Sequence, residues 1–180
     1  MSENAAFELL SNIEQQANQL AQQGLSYVSQ SAGVKNIAFA INGINFYCDS
    51  RDIKEVSTCE GLMPVPQTKQ WMRGLVNSKG VLYSVSDMSL LAGFGRTIQA
   101  ARGHLLLLND EKSQTALLVN RVIGFRYFDD SSNIDDLETK KDQLEGLAAY
   151  VEGGFSDDGQ DWYRLDIAAL IASEQFREVQ

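Results

Sequence analysis

Histidine and cysteine, the side chains most often used for nucleophilic catalysis and transition-metal binding, are nearly absent from this sequence. His104 is the sole histidine among 180 residues, and Cys48 and Cys59 are the only cysteines. A histidine-based triad or phosphorelay would therefore depend on one residue, and we interpret His104 as a residue at a strand end. The cysteines do not form a C-x-x-C pair, which favours two reduced thiols over a disulfide or a metal site.

Motifs that bind nucleotides or activate a nucleophile are also missing. The sequence contains no Walker A loop, G-x-G-x-x-G, G-x-S-x-G or H-E-x-x-H. Its paired aspartates at 129–130, 135–136 and 157–158 lie in polar turns, where nothing desolvates them enough to tune a catalytic acid. A loose calcium site is the alternative left open, although the ordered calcium loop is missing. We expect no catalysis, no cofactor and no resident metal, and therefore a binding function.

Basic residues are scarce as well. Fifteen lysines and arginines face 24 aspartates and glutamates, which gives a formal net charge of −9. This charge argues against nucleic acid and anionic lipid as ligands, because binding to both needs clustered cations. No apolar run approaches the roughly 20 residues that span a bilayer, and the N-terminus does not resemble a secretion signal. We predict a cytoplasmic protein.

The first 33 residues differ in pattern from the rest. Residues 4–23 predict an amphipathic helix, because apolar side chains recur at spacings of three and four while glutamines occupy the opposite face. Gly24 is a suitable end, and residues 26–33 are small and polar, as in a linker. The helix either packs back on the domain or docks a partner. Its apolar positions are Phe7, Leu10, Ile13, Ala17 and Leu20.

From Asn36 the hydrophobic period changes to two, which indicates β-strands. Asn42-Gly43 predicts a tight hairpin, because a type I′ turn needs positive φ at both central residues. Folding the chain there places all six apolar partners on one face, so the turn and the burial pattern agree. The predicted pairs are Ile41 with Ile44, Phe39 with Phe46, and Ile37 with Cys48.

A second hairpin follows. Strands Met72–Val76 and Val81–Val85 flank the polar turn Asn77–Gly80, and Asp87 is placed to cap a short helix, Met88–Leu91. Near the C-terminus, Asp166 again follows a strand and precedes a helix. This repeated pattern suggests two similar β units, each closed by a short helix.

Two further predictions concern element boundaries. Ser50 is a candidate cap for a helical turn that leads into a strand. The apolar run Thr115–Val122 predicts one strand, with another over Gly124–Tyr127. We read the acidic segment 129–142 as a solvated loop or short helix.

The stretch Gly61–Gly93 resembles the central signature of the CheW-like domain family. That signature joins a P-x-x-P segment and an aromatic residue to [KR]-G-[VI]-x-N-x-R-G and a strand ending in Asp-Leu. The matching segments here are Pro64-Val65-Pro66, Trp71, Arg73-Gly74-Leu75-Val76-Asn77-Ser78-Lys79-Gly80 and Val81–Met88. Upstream Asp52–Val56, downstream Leu117–Val122 and the closing segment Tyr150–Leu170 continue the likeness in order.

The resemblance covers about residues 35–175. We therefore divide the chain into an N-terminal helix and linker (1–33), a CheW-like domain (34–175) and a tail (176–180). The added helix resembles the PilI-type branch of the family, which serves the chemosensory system of type IV pili and twitching motility. The fold implied is mainly β: two side-by-side five-stranded SH3-like barrels with short helices.

The family resemblance also implies a function. Such proteins are adaptors that couple the cytoplasmic tip of a methyl-accepting chemoreceptor to the regulatory domain of a CheA-type histidine kinase, and the receptor recruits them to the inner face of the membrane. Receptor binding uses the groove between the barrels, and no motif assigns the kinase contacts. The positions that match the receptor-binding motif here are Glu55, Val56, Gly74, Leu75, Asn77 and Lys79.

Those positions carry a specific chemical expectation. A helical receptor tip would lay an apolar ridge into the groove, and Gly74 would allow its close approach. Glu55 and Lys79 match a Glu–Arg pair of the family; without the resemblance they would read as ordinary exposed charges. Two residues depart from the pattern: Lys79 replaces an arginine and loses its bidentate fork, and Asn120 replaces an aspartate.

Two other functions remain open. The first alternative is a scaffold for another chemosensory pathway, such as swimming chemotaxis. The second is a small-ligand-binding β-barrel. In the second case Trp71, Trp162 and Tyr163 would line the pocket, although core packing explains them as well.

Overall fold

The computed structural model describes residues 35–110, 112–127, 140–157 and 159–178. The predicted N-terminal helix, its linker and most of the acidic segment 129–142 lie outside these residues. The predicted division of the chain into three parts therefore stays a prediction. No helix of the described part is long and apolar enough to cross a membrane.

Ten strands make up about half of the described chain. The first sheet has the strand order β8-β1-β2-β10-β9 and the second has the order β3-β6-β7-β5-β4. The fold is thus mainly β with two five-stranded sheets, as predicted. The strands are β1 Lys35–Ile41, β2 Ile44–Asp49, β3 Ile53–Thr58, β4 Met72–Ser78, β5 Val81–Asp87, β6 His104–Leu108, β7 Thr115–Val119, β8 Arg121–Tyr127, β9 Val151–Asp157 and β10 Gln160–Leu165.

The second sheet is inserted into the first along the chain. β3 to β7 are consecutive in sequence and form one sheet, whereas the other sheet joins the β1–β2 hairpin to β8, β9 and β10. Most neighbours are antiparallel, but β2 pairs with β10 and β5 with β7 in parallel. Among the described residues backbone pairing closes neither sheet into a ring, so β8, β9, β3 and β4 are edge strands.

Short helices follow the last strand of each half of the chain. Asp87 caps α1 (Met88–Ala92), since its Oδ1 accepts hydrogen bonds from the N–H groups of Ser89 and Leu90. Asp166 caps α2 (Ile167–Ala172) through the N–H of Ala169. Both predicted caps are confirmed. A third helix, α3 (Glu174–Arg177), and 3-10 segments at Ser50–Asp52, Ala100–Arg102 and Lys141–Tyr150 complete the described elements.

The first hairpin has the predicted register. Ile41 pairs with Ile44, Phe39 with Phe46 and Ile37 with Cys48. Asn42 and Gly43 have φ values of 50° and 85°, the left-handed geometry that a type I′ turn requires. The six apolar partners all pack into or against the same core cluster.

Two boundary predictions were wrong. Asp49, not Ser50, caps the helical turn, because its carboxylate accepts the N–H of Arg51 at 2.9 Å. The run Thr115–Val122 is not one strand: β7 ends at Val119, and after Asn120 the chain enters β8 in the other sheet. The apolar pattern gave no sign of this crossing because apolar residues continue on both sides of Asn120, although β7 is buried throughout and β8 contains no buried residue.

Three apolar clusters hold the sheets together. The largest lies between them and contains residues from both sheets and all three helices, including Phe46, Leu117 and Leu170. A second cluster lies on the other face of the second sheet around Val85 and Leu118. The third lies on the other face of the first sheet around Phe155. Each sheet therefore has a small core of its own besides the core that the two share.

Candidate partner-binding site

The six predicted site residues come from two opposite edges of the second sheet. Glu55 and Val56 lie on β3, whereas Gly74, Leu75 and Asn77 lie on β4 and Lys79 lies in the turn that follows. Three strands separate β3 from β4 in the sheet order.

Side chains nevertheless connect β3 to the β4–β5 hairpin. Lys79 Nζ lies 2.7 Å from Glu55 Oε2, and Lys54 Nζ donates to the Tyr83 hydroxyl at 3.3 Å. The second sheet is therefore curled, so that side chains bridge two regions that its backbone pairing leaves apart. The predicted Glu55–Lys79 pair is present.

The turn geometry sets the position of Lys79. Lys79 and Gly80 have φ values of 52° and 84°, and the Asn77 side chain accepts the Gly80 N–H at 2.9 Å. Asn77 thus stabilises the turn that presents Lys79 toward Glu55. The Lys79 side chain is 77% exposed and that of Glu55 is 29% exposed, so water screens the pair and its contribution to stability is at most about 1 kcal/mol.

Gly74 has an internal reason for being glycine. Its φ is +136°, and a Cβ built there would lie 2.1 Å from the Met63 carbonyl oxygen. Met63 and Leu75 exchange two backbone hydrogen bonds of 2.8 Å beside it. This differs from the expectation that the missing Cβ makes room for a partner helix: within the chain, it makes room for the segment that covers the β4 edge.

Val56 and Glu55 line a groove between the two sheets with a volume of about 220 Å³. Val56 pairs with Leu106 of the shared core, so its side chain faces the first sheet, and it is 39% exposed. Across the groove, Phe125 of β8 is 59% exposed, and the Lys35 ammonium lies 3.7 Å from its ring centroid. The groove thus offers apolar surface with charged rims, which suits one face of an amphipathic helix.

The structure brings only part of the predicted set to this groove. Glu55 and Val56 line it, Lys79 is connected to it through Glu55, and Gly74, Leu75 and Asn77 do not line it. Sequence reasoning missed Phe125 and Lys35, which the β1–β8 pairing brings opposite β3. The one available signal was an exposed aromatic residue on a short alternating strand.

A buried carboxylate anchors the hairpin that carries the site. Asp87 is 0% exposed, and its Oδ2 accepts hydrogen bonds from Arg73 at 3.0 Å, from the Thr97 hydroxyl at 2.9 Å and from the Ile98 N–H at 2.9 Å. Its other oxygen caps α1. Because all these donors belong to the protein, Asp87 ties β4, β5, α1 and the following loop together.

The cysteines have the character of core residues. Burial, followed by the charges of Asp52 and Asp49, raises the pKa of the Cys48 thiol far above its usual range. Burial also raises the pKa of Cys59. Neither thiol is activated as a nucleophile, and the described residues contain no cluster of side chains that could hold a metal ion.

The aromatic residues considered for a ligand pocket are packed in the cores. Trp71 stacks on Phe176 with ring centroids 5.6 Å apart, Trp162 stacks on Phe155 at 6.2 Å, and Tyr163 contacts Phe46. All three are buried. This arrangement favours core packing over the small-ligand alternative.

Comparisons with known proteins give a family, a relative and a solved structure that the chain resembles. The profile of the CheW-like domain family matches residues 36–175. Protein PilI of Pseudomonas aeruginosa is 25% identical over 180 residues, an alignment that covers 96% of this chain and 95% of PilI. The crystal structure of the scaffolding protein TtCheW from Thermoanaerobacter tengcongensis superposes with a TM-score of 0.65 at 18% identity, covering 81% of this chain and 92% of that one.

Proposed function

The chain belongs to the CheW-like domain family, and from this premise we propose that it is a non-catalytic adaptor between a methyl-accepting chemoreceptor and a CheA-type histidine kinase. The receptor partner is the cytoplasmic tip, a helical hairpin, and the kinase partner is the regulatory domain. The adaptor works in the cytoplasm, where the receptor recruits it to the inner face of the membrane.

One observation carries the receptor half of this proposal. Glu55 and Val56 line an open groove between the two sheets, and the Lys79–Glu55 ion pair ties the β4–β5 hairpin to the same strand. Val56 and Phe125 supply apolar surface for a helix ridge, while Glu55 and Lys35 supply opposite charges at the rims. An amphipathic helix would bury the apolar part and keep its polar face in water.

The pathway we propose is the chemosensory control of type IV pili and twitching motility. Similarity to Protein PilI over nearly the whole of both chains supports this choice. A scaffold for another pathway, such as swimming chemotaxis, is the alternative. Deleting the gene would separate them: loss of twitching with normal swimming supports the pilus pathway, and the reverse supports the alternative.

The direct test of coupling is a titration of the purified chain against two proteins from the same cell. One is a receptor cytoplasmic fragment, and the other is the kinase regulatory domain. We expect saturable binding to each and a ternary complex when both are present. Binding to neither at high micromolar concentration would refute the adaptor function. A thermal shift caused by a small metabolite, with no response to either protein, would instead favour a ligand-binding barrel.

A further inference from the structure

A bulge in β3 directs two successive side chains toward the β4–β5 hairpin. Ile53 pairs with Leu108 of β6 and Glu55 pairs with Leu107, the preceding residue of β6, so Lys54 is an extra residue between successive pairs. In a regular strand, neighbouring side chains point to opposite faces of the sheet. The bulge interrupts this alternation, and the side chains of Lys54 and Glu55 both reach the hairpin.

The two side chains bind partners of different character. Glu55 pairs with Lys79, whose side chain is largely exposed. Lys54 Nζ instead donates to the hydroxyl of Tyr83, which is 2% exposed and belongs to the core cluster around Val85. The second contact therefore joins an exposed lysine to a hydroxyl whose ring is held in place by core packing.

Lys54 also belongs to the groove between the two sheets. It lines that groove together with Glu55 and Val56 of the same strand. Tyr83 is not among the lining residues in the described part of the chain. Its hydroxyl therefore has no direct place in the candidate site. It can influence the groove through Lys54, the side chain that it holds.

β3 forms one wall of the groove and is an edge strand. Its backbone pairs with β6, and no second described strand pairs with it. An edge strand has more exposed backbone hydrogen bonds than a central one, and such strands open locally at lower free energy. The Glu55–Lys79 and Lys54–Tyr83 contacts bridge the gap to the hairpin, so they restrain the wall where backbone pairing does not.

We infer, building on the proposed receptor function, that Tyr83 is a positioning residue for this groove: its hydroxyl holds Lys54 and so fixes the β3 wall on which the receptor helix packs. The Tyr83 ring is already ordered by the core, so the contact costs conformational entropy only for the lysine. A wall that is ordered before the partner arrives loses less entropy on docking. Removing the hydroxyl should therefore loosen β3 and, as a consequence, weaken docking.

Hydrogen exchange of the free full-length protein tests the positioning step without any partner. Tyr83→Phe removes the hydroxyl and keeps the ring in the core, so the amides of β3 should exchange about threefold faster, because one weak hydrogen bond no longer opposes local opening. Tyr163→Phe is the matched control: Gln143 donates to that hydroxyl in the first sheet, and β3 exchange should stay unchanged. Unchanged β3 exchange in Tyr83→Phe, or equal acceleration in all strands, would overturn the inference.

Titration with the receptor cytoplasmic fragment tests the effect on docking. Tyr83→Phe should weaken binding about threefold in the wild type but less than about 1.5-fold in Lys54→Met, whose side chain cannot bind the hydroxyl. A residue with a merely structural role would weaken binding equally in both backgrounds, and that result would refute the inference. If the wild type did not bind the fragment while Tyr83→Phe still accelerated β3 exchange, the receptor function would fail and the positioning of β3 by Tyr83 would be supported.

Discussion

The two halves of the fold use the same local devices but secure them differently. Each has a two-residue hairpin turn with positive φ at both positions, and each ends a strand in an aspartate that caps a helix. In the second sheet these devices are joined to distant groups: Asp87 binds Arg73 and Thr97, and Lys79 binds Glu55. In the first sheet the Asn42 N–H donates to the distant Asn120 side chain, whereas Asp166 accepts one hydrogen bond, from the N–H of Ala169 in the helix it caps.

This difference indicates that the second sheet is the more rigid of the two. The sheet that carries the candidate receptor site is fixed by a buried ion pair, by the Met63–Leu75 bridge and by a side-chain link between its outer regions. The ion pairs Lys140–Asp161 and Arg164–Glu152 on the first sheet are partly exposed, and Phe125 and Tyr127 lie exposed on an edge strand. A binding site built on a fixed hairpin loses less conformational entropy when a partner docks.

The largest effect is expected from removing each of the two capping aspartates, which tests whether the two sheets are stabilised differently. Asp87→Ala leaves Arg73 without its buried partner and should destabilise the domain by about 3–5 kcal/mol. Asp166→Ala removes only a cap and should cost about 1 kcal/mol. Urea denaturation of both variants measures the two values. Equal losses would mean that the buried network adds nothing to ordinary capping.

The next largest effect concerns glycine. Gly74→Ala places a Cβ against the Met63 carbonyl at a positive φ and should destabilise the domain by about 2–4 kcal/mol. Gly153→Ala on β9 is the matched control, because a Cβ there meets no atom within 4 Å. If thermal and urea unfolding gave the same midpoints for both variants, the β4 edge would be less tightly covered than the hydrogen bonds indicate.

Reversing the charge of Lys79 separates binding from stability. Lys79→Glu opposes Glu55, so it should change the free energy of unfolding by less than about 1 kcal/mol while weakening receptor-fragment binding about tenfold. Calorimetric titration measures the second effect, and Lys112→Glu serves as a control on a surface away from the groove. Unchanged receptor affinity in the folded Lys79 variant would remove this hairpin from the proposed site.

The smallest effect is expected from Lys79→Arg, which introduces the residue typical of the family. A guanidinium can bind both oxygens of Glu55, so stability should rise by a few tenths of a kcal/mol and receptor affinity should change by less than about twofold. Paired denaturation and titration experiments with the wild type would detect either change. A loss of stability would show that the left-handed turn does not accommodate the wider side chain.

Local chemistry explains which parts of the fold could be predicted. The Asn42-Gly43 turn and the alternating apolar residues around it set the first hairpin and its register, and the aspartate caps mark two helix starts. The crossing at Asn120 was not predictable in the same way. Apolar residues lie on both sides of it, and only pairing with partners far along the chain assigns the two strands to different sheets.

Local sequence patterns were also insufficient to predict how the residues of the candidate site come together. Nothing in the local pattern joins Glu55 to Lys79, because Glu55 lies on β3 and Lys79 in the β4–β5 turn of a curled sheet; the family resemblance supplied that pair. Phe125 was missed because the β1–β8 pairing positions it across from Val56. Gly74 was singled out for a partner contact, whereas the close approach of Met63 gives an intramolecular reason for it.

The insertion of one sheet within the other sets an order of events during synthesis. Strands β3 to β7 are made before β8 and pair only with one another, so the sheet that carries Lys79 can form while the chain is still growing. The β1–β2 hairpin, made first, must wait with both edges open, because β8 and then β10 arrive late. Those open edges are where a nascent chain is exposed to mispairing, and a chaperone would be needed earliest there.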